Sequence, residues 1–270
     1  RKKILENLKG DASLRKFFRN KENKSILVLS KKEKLKNLLI YDAINKILIK
    51  NKILAPKLLS ENYSNGYIEI EDFGDQTIFK LLKNKKVDKY VTYKKIVNIL
   101  NKIQSIKDKK IKNFKNEFYK IQEYKNKDLF NESNLFCEWY VPKKLSKSKI
   151  PKFNKKFKSE IKKLLSKLNY KNNTFVHRDF HVSNLMYYNR RIAIIDNQDA
   201  LVGNKAYDLA SLIDDVRFRT SNQFKEKVFQ FYLKTNNKIK INEFKNDFEI
   251  LSILRNLKII GIFTRLALRD

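Results

Sequence analysis

The 270-residue sequence has one cysteine (Cys137), one methionine (Met186), one tryptophan (Trp139) and two histidines (His177 and His181). A lone cysteine excludes an intrachain disulfide, and two histidines leave almost nothing from which to build a Cys/His zinc site. This is the cysteine usage of a reduced, cytoplasmic chain. Five glycines and three prolines exclude collagen-like repeats and low-complexity linkers as descriptions of the whole. No apolar run approaches the roughly 20 residues needed to cross a bilayer, because Lys or Asn breaks each stretch, so no membrane span is expected. Residues 1–10 lack the apolar centre of a secretory signal. The absence of an initiator Met and of a tapering tail leads us to expect a few further residues at the start and more at the end.

Acidic residues are also scarce: 29 Asp and Glu face 61 Lys and Arg, a formal charge of +32. Such an excess invites polyanion binding through counterion release. However, only 11 of the 61 basic residues are Arg, so 50 are Lys, and Asn and Ile are abundant beside them. An A/T-rich coding sequence places that combination on any tolerant surface. The lysines run from Lys2 to Lys258 with no basic block beside a nucleic-acid motif. The charge reads as a solvated basic surface and no specific nucleic-acid partner is expected, with polyanion binding as the rival reading.

What the sequence does have is 42% hydrophobic and 12% aromatic residues, enough to bury a core. Lys24 to Ser30 reads as a strand, and Tyr67-Ile68-Glu69-Ile70-Glu71 alternates with the period of a half-buried strand. Between them Leu38, Leu39, Ile44, Ile47 and Leu48 recur at helical spacing over 35–51, with Pro56 beyond the end. This predicts a strand-helix-strand lobe over residues 1–73. From Gly74 onward, amphipathic helices such as Tyr93–Ile106 and Phe157–Leu168 predict a larger helical lobe over 74–270. Two short strands interrupt it, at Phe175-Val176 and Ile192–Ile195, and helices resume from Tyr207.

The chemistry concentrates at Phe175-Val176-His177-Arg178-Asp179-Phe180-His181-Val182-Ser183-Asn184-Leu185-Met186, followed by Ile194-Ile195-Asp196. A carboxylate, an amide five residues later and a second carboxylate twelve after that match the spacing of the kinase H-R-D-x-x-x-x-N and D-F-G positions. Phosphoryl transfer needs a carboxylate to orient the acceptor hydroxyl and take its proton, the role of Asp179. It also needs hard oxygen ligands for Mg²⁺, which Asn184 and Asp196 supply. His177 reads as a structural histidine holding the loop, and His181 as a residue close enough to approach substrate.

With Ile195–Gly203 and Ala206–Leu212, the motif resembles the aminoglycoside phosphotransferase/choline kinase superfamily. The closest branch is that of the anomeric N-acetylmuramate/N-acetylglucosamine kinases of cell-wall recycling. Further matching blocks are Gly10–Arg19, Ile70–Asp75, Phe136–Tyr140 and Arg255–Leu266. The resemblance implies an α+β, protein-kinase-like, two-lobed fold and an ATP- and Mg²⁺-dependent kinase acting on a small-molecule hydroxyl. An amino sugar is the favoured acceptor. Aminoglycoside, choline-like or other metabolite alcohols are alternatives, as is a pseudokinase that binds nucleotide or a polyanion. For the nucleotide it implicates Gly10, Asp11 and Ser13 over the phosphates, Lys31 or Lys32 as a neutralising charge, and Glu71 to Phe73 as the hinge. For the acceptor it implicates Arg178, His181, Gln198, Asp199 and Trp139, the last balanced between stacking on a sugar and core packing. Asp208 is expected to brace the catalytic loop. Two departures stand out. Asn197 occupies a position usually aromatic in this branch, and the family pattern continues beyond residue 270.

Overall fold

The computed structural model describes residues 5–8, 15–31 and 34–268. They divide into two compact units, one formed by residues up to 121 together with 179–200, the other by 122–178 and from 201 onward.

The first unit is built on a five-stranded antiparallel sheet of order β1-β2-β3-β5-β4, from β1 (Leu5–Leu8), β2 (Lys16–Asn20), β3 (Ser25–Leu29), β4 (Leu58–Asn62) and β5 (Tyr67–Glu71). Strand β5 alternates as its sequence dictates, with Ile68 and Ile70 buried opposite Val28 and Ile26 of β3. Helix α1 (Lys36–Lys50) packs Leu38 and Tyr41 onto this face. The sheet therefore has three more strands than the strand-helix-strand pattern expected. Strands β1 and β4 have mostly exposed side chains, and β2 places Phe17 and Phe18 side by side, so none of them carries a two-residue apolar period. Helix α2 (Ile78–Lys83) starts at Thr77, whose hydroxyl accepts from the Lys80 amide. Helix α3 (Lys89–Gln104) starts at Asp88, whose carboxylate accepts from the Val91 amide at 2.6 Å. This cap sets the start four residues before the expected Tyr93. Strands β6 (Lys110–Lys112) and β7 (Phe118–Lys120) form a short hairpin.

The second unit holds α4 (Asn126–Leu135), a π-helical turn (Phe136–Tyr140), α5 (Val141–Lys144), α6 (Ile150–Ser166), and β8 (Thr174–Val176). Strands β9 (Leu185–Tyr188) and β10 (Arg191–Ile194) return to the first unit. The second unit resumes with β11 (Leu201–Gly203), paired to β8, and with α7 (Tyr207–Ile213), α8 (Asn222–Lys234) and α9 (Ile241–Ala267). Helix α6 begins before the expected Phe157 because Pro151 fits the first turn, where no intrahelical donor is needed. The buried Asp247 of α9 accepts the backbone amides of Asn169 and Tyr170 at 2.8 and 2.9 Å and the Asn204 amide at 2.7 Å. With the side-chain amides of Asn169 and Asn246 also donating, its charge is spread over five neutral donors, which ties the loop before β8 to α9. Among the described residues no helix is long and apolar enough to cross a membrane.

One glycine sets how closely α9 approaches its neighbour. A Cβ on Gly261 would lie 2.5 Å from the carbonyl carbon of Leu135, at the end of α4. Helix propensity alone favours Ala over Gly by about 1 kcal/mol. Contact with a backbone that cannot swing aside reverses the sign, so Gly261→Ala is expected to destabilise the fold by roughly 1–3 kcal/mol. Urea unfolding of the two proteins checks this; a more stable variant would mean that α9 does not lie against α4 as described.

Candidate active site

In the first unit the chain enters at Asp179 and makes a tight loop before β9. The Asp179 carbonyl accepts from the His181 amide at 3.1 Å and from Asn184 Nδ2 at 3.0 Å, while the Asn184 amide donates to the His181 carbonyl at 2.9 Å. Phe180 and Val182 are fully buried and anchor the loop from below. His181 is also buried, its Nε2 lying 3.5 Å from Asn184 Nδ2. Strands β9 and β10 then pair with Leu185 opposite Ile194 and Met186 opposite Ala193. The ladder is closed by the Ile195 amide donating to the Asn184 carbonyl at 3.0 Å. Asn184 and Asp196 are thereby held on either side of one backbone hydrogen bond.

Asp196 adopts left-handed backbone dihedrals, φ 64° and ψ 42°, uncommon for a residue with a side chain. Its Oδ1 accepts from Gln198 Nε2 at 2.9 Å and lies 3.5 Å from an Arg15 guanidinium nitrogen, and its side chain is 41% exposed. Gln198 also donates to the exposed Asp199, at 2.9 Å, so its amide bridges two carboxylates. Asn197 is completely buried, donating to Asn45 Oδ1 of α1 at 2.8 Å and to the Ile194 carbonyl at 3.1 Å. Where the resembling branch carries an aromatic ring, this chain packs the segment after Asp196 against α1 with a paired amide.

The donor set fits a hard divalent cation. The Asn184 nitrogen is engaged by the Asp179 carbonyl, which leaves its amide oxygen as the available ligand beside the Asp196 carboxylate. Among the described residues no cluster of three or more His, Cys, Asp or Glu could cage a metal by itself. One carboxylate and one amide oxygen, completed by water and phosphate oxygens, is the coordination Mg²⁺ commonly takes.

The other expected nucleotide residues in this unit are distributed along the sheet and hinge. Gly10, Asp11 and Ser13 lie outside the described residues, and Lys31 is exposed beyond β3. The Glu71 amide donates to the Lys57 carbonyl at 2.9 Å, and its buried Oε2 has no hydrogen-bond partner among the described residues. Phe73 is buried against Met186, Ala193 and Tyr188, which seats the segment after β5 on the hairpin. The intervening turn is clamped by Arg19, which reaches both oxygens of Asp72 (2.6 and 3.2 Å) and Asp75 (2.6 Å). Gly74, at φ 78°, lets its amide turn back onto Asp72 at 2.7 Å. A cavity of about 480 Å³ in this unit lies at the turn end of the hairpin, lined by Tyr187, Arg190 and Ile192 with Val91 and Lys95 of α3. None of the expected site residues lines it.

The two residues before Asp179 belong to the second unit. The fully buried Asp208 of α7 accepts the His177 amide at 2.6 Å and the Arg178 amide at 3.0 Å. Arg178 has φ 74°, a strained setting that persists only when its surroundings hold it. Its guanidinium pairs with Glu132 of α4 and lies 4.8 Å from the centre of the Tyr124 ring. Glu132 also receives Lys258 of α9 at 2.9 Å and the Tyr124 hydroxyl. Trp139 lies in this unit, half-buried on the π-helical turn, where Phe136 and Tyr140 stack at 5.0 Å. Glu132, Lys258 and Asn45 were not expected from the sequence, because their partners are too distant along it to leave a local signal.

Burial opposes ionisation of Glu132, but Lys258 and Arg178 outweigh it and hold the carboxyl below its ordinary 4.5. A depressed folded-state pKa gives stability that is present above the unfolded value and lost as pH falls through the folded one. Glu132→Gln should therefore cost roughly 2–4 kcal/mol at pH 7, since two largely buried cations lose their counter-charge. The loss should shrink as pH falls below 4.5. Denaturant titrations of both proteins at pH 7 and pH 4 measure it; an equal loss at both values would contradict the ionic account.

Residues 4–241 match the phosphotransferase enzyme family, APH. A curated relative from Neisseria meningitidis serogroup B, named N-acetylmuramate/N-acetylglucosamine kinase, is 26% identical over 97% of this chain and 78% of its own length. Among solved structures, a choline/ethanolamine kinase family protein from Mesorhizobium loti superposes with a TM-score of 0.67 at 13% identity, covering 100% of this chain and 82% of that one. The streptomycin–ATP–APH(2")-IIa ternary complex gives 0.60 at 14% identity, covering 97% and 90%. These likenesses establish an α+β, protein-kinase-like fold. With the family match spanning most of its length, the chain belongs to the phosphotransferase enzyme family.

Proposed function

We propose that the protein transfers the γ-phosphoryl group of ATP to the anomeric hydroxyl of an amino sugar, N-acetylmuramate or N-acetylglucosamine, in a Mg²⁺-dependent reaction in the cytoplasm. The observation that carries this reading is the likeness to the N-acetylmuramate/N-acetylglucosamine kinase over 97% of the chain. Asp179, Asn184 and Asp196 lie inside the aligned family region. We assign residues 1–73 to nucleotide binding and 74–270 to catalysis and acceptor binding.

In this reading Asp179 orients the sugar hydroxyl and takes its proton as the oxygen attacks phosphorus. The Asn184 oxygen and the Asp196 carboxylate hold the magnesium ion, which when bound offsets the charge of the phosphates. Gly10, Asp11, Ser13 and Lys31 bind the phosphate tail, and the backbone at Glu71 to Phe73 binds the base. Arg178, His181, Gln198, Asp199 and Trp139 bind or orient the acceptor. For Arg178 and Gln198 the contribution is to orient, since Glu132 and the two carboxylates already engage their polar heads. Asp208 and His177 keep the loop in place.

The test is ATP consumption by the purified protein with N-acetylmuramate, N-acetylglucosamine, an aminoglycoside and choline, with phosphorus NMR to locate the new phosphate. Turnover on the two amino sugars with an anomeric phosphate product is expected. Asp179→Asn should lower that turnover by a factor on the order of 10² to 10⁴ while leaving ATP affinity nearly unchanged. Turnover only with choline or the aminoglycoside would overturn the acceptor, and an Asp179→Asn variant within a few-fold of wild type would overturn the role of Asp179.

A further inference from the structure

The phosphate tail of a nucleotide needs a fixed cation, which protein kinases supply as a lysine on the third strand of the sheet. Here that strand, β3, reads Ser25-Ile26-Leu27-Val28-Leu29 and has no basic residue. Its neighbour β5 has none either and carries Glu69 and Glu71. Arg19 on β2 is committed, with both oxygens of Asp72 and one of Asp75 in its fork. Lys31 is exposed beyond the end of β3.

Arg15, immediately before β2, is placed differently. Its side chain is only 11% exposed, its guanidinium lies 5.8 Å from the centre of the Phe17 ring, and one of its nitrogens is 3.5 Å from Asp196 Oδ1. That contact is one-point and long, unlike the 2.6 Å clamp of Arg19. A partly desolvated guanidinium beside the carboxylate assigned to the metal is suited to a phosphate oxygen, which its planar fork can meet in two-point fashion.

We infer that Arg15 is a phosphate-binding cation of the nucleotide site in addition to Lys31, standing in for the absent strand lysine, and that its pairing with Asp196 compensates both charges while no nucleotide is bound. Removing it should weaken binding of phosphates and leave binding of the base alone. The inference rests on the nucleotide reading above, and the experiment separates the two.

Isothermal titration calorimetry in EDTA compares adenosine, ADP and ATP for wild type and Arg15→Gln, each also in an Asp196→Ala background. Arg15→Gln should weaken ADP and ATP about ten- to hundredfold, the worth of a hydrogen bond to a charged group. Adenosine should change less than about twofold, since it makes no such bond. The loss of ATP affinity should persist with Asp196→Ala, because Arg15 acts on phosphate directly. Unchanged ATP affinity in Arg15→Gln, or a loss that vanishes in the Asp196→Ala background, would overturn the inference and leave Arg15 as a counter-ion of Asp196 only. If Arg15→Gln no longer binds adenosine, Arg15→Lys serves instead and should weaken ATP without affecting adenosine. A wild type that binds ATP neither in EDTA nor with Mg²⁺ would overturn the nucleotide reading itself, and the inference with it; where only Mg²⁺ supports binding, wild type and Arg15→Gln are compared with it present, with the same expected losses.

Discussion

The site depends on the register of one antiparallel pair. Leu185 faces Ile194, and the Ile195 amide reaches the Asn184 carbonyl, so the residues just before β9 and just after β10 are adjacent although eleven apart in sequence. A slip of one residue would turn every side chain of the hairpin to the opposite face. The register is fixed because Leu185, Met186, Ala193 and Ile194 are buried, with Phe73 and Tyr188 packed on the same cluster. An oxygen-rich pair at the surface is therefore a consequence of an apolar pair beneath it.

Within the second unit, buried carboxylates act as staples for the backbone. Asp208 receives the amides of His177 and Arg178, and Asp247 those of Asn169 and Tyr170. Glu132 uses its charge instead, drawing Arg178, Lys258 and the Tyr124 hydroxyl to one point. Arg178 is thus held at both its backbone and its guanidinium, which is how it keeps a left-handed conformation one residue before Asp179. The arginine before Asp179 thus already has its counter-charge within the chain.

Features that are local in sequence were legible, and those that depend on distant partners were not. The alternation of Tyr67–Glu71 and the spacing of Asp179, Asn184 and Asp196 are short-range patterns, and β5 lies where its alternation predicts. Strands β1, β2 and β4 escaped because their side chains are largely exposed or only half-buried, so hydrophobicity does not mark them. Asn197 was legible as a departure from the aromatic pattern, but its partner Asn45 is 152 residues away. Glu132 is one of two acidic residues in α4, and nothing nearby announces an arginine 46 residues on. The start of α3 at Asp88 and of α6 near Pro151 were signals of capping and of proline that apolar periodicity alone had passed over.

The central claim is that the two ends of the β9–β10 hairpin hold a divalent cation together with nucleotide phosphates. Paramagnetic broadening of backbone amide signals by substoichiometric Mn²⁺ with ATP tests it most directly, because the effect falls steeply with distance from the ion. The account predicts selective loss of signals from residues 183–185 and 195–197, abolished by Asp196→Ala. Broadening centred elsewhere in the chain, or none at these residues, would contradict it.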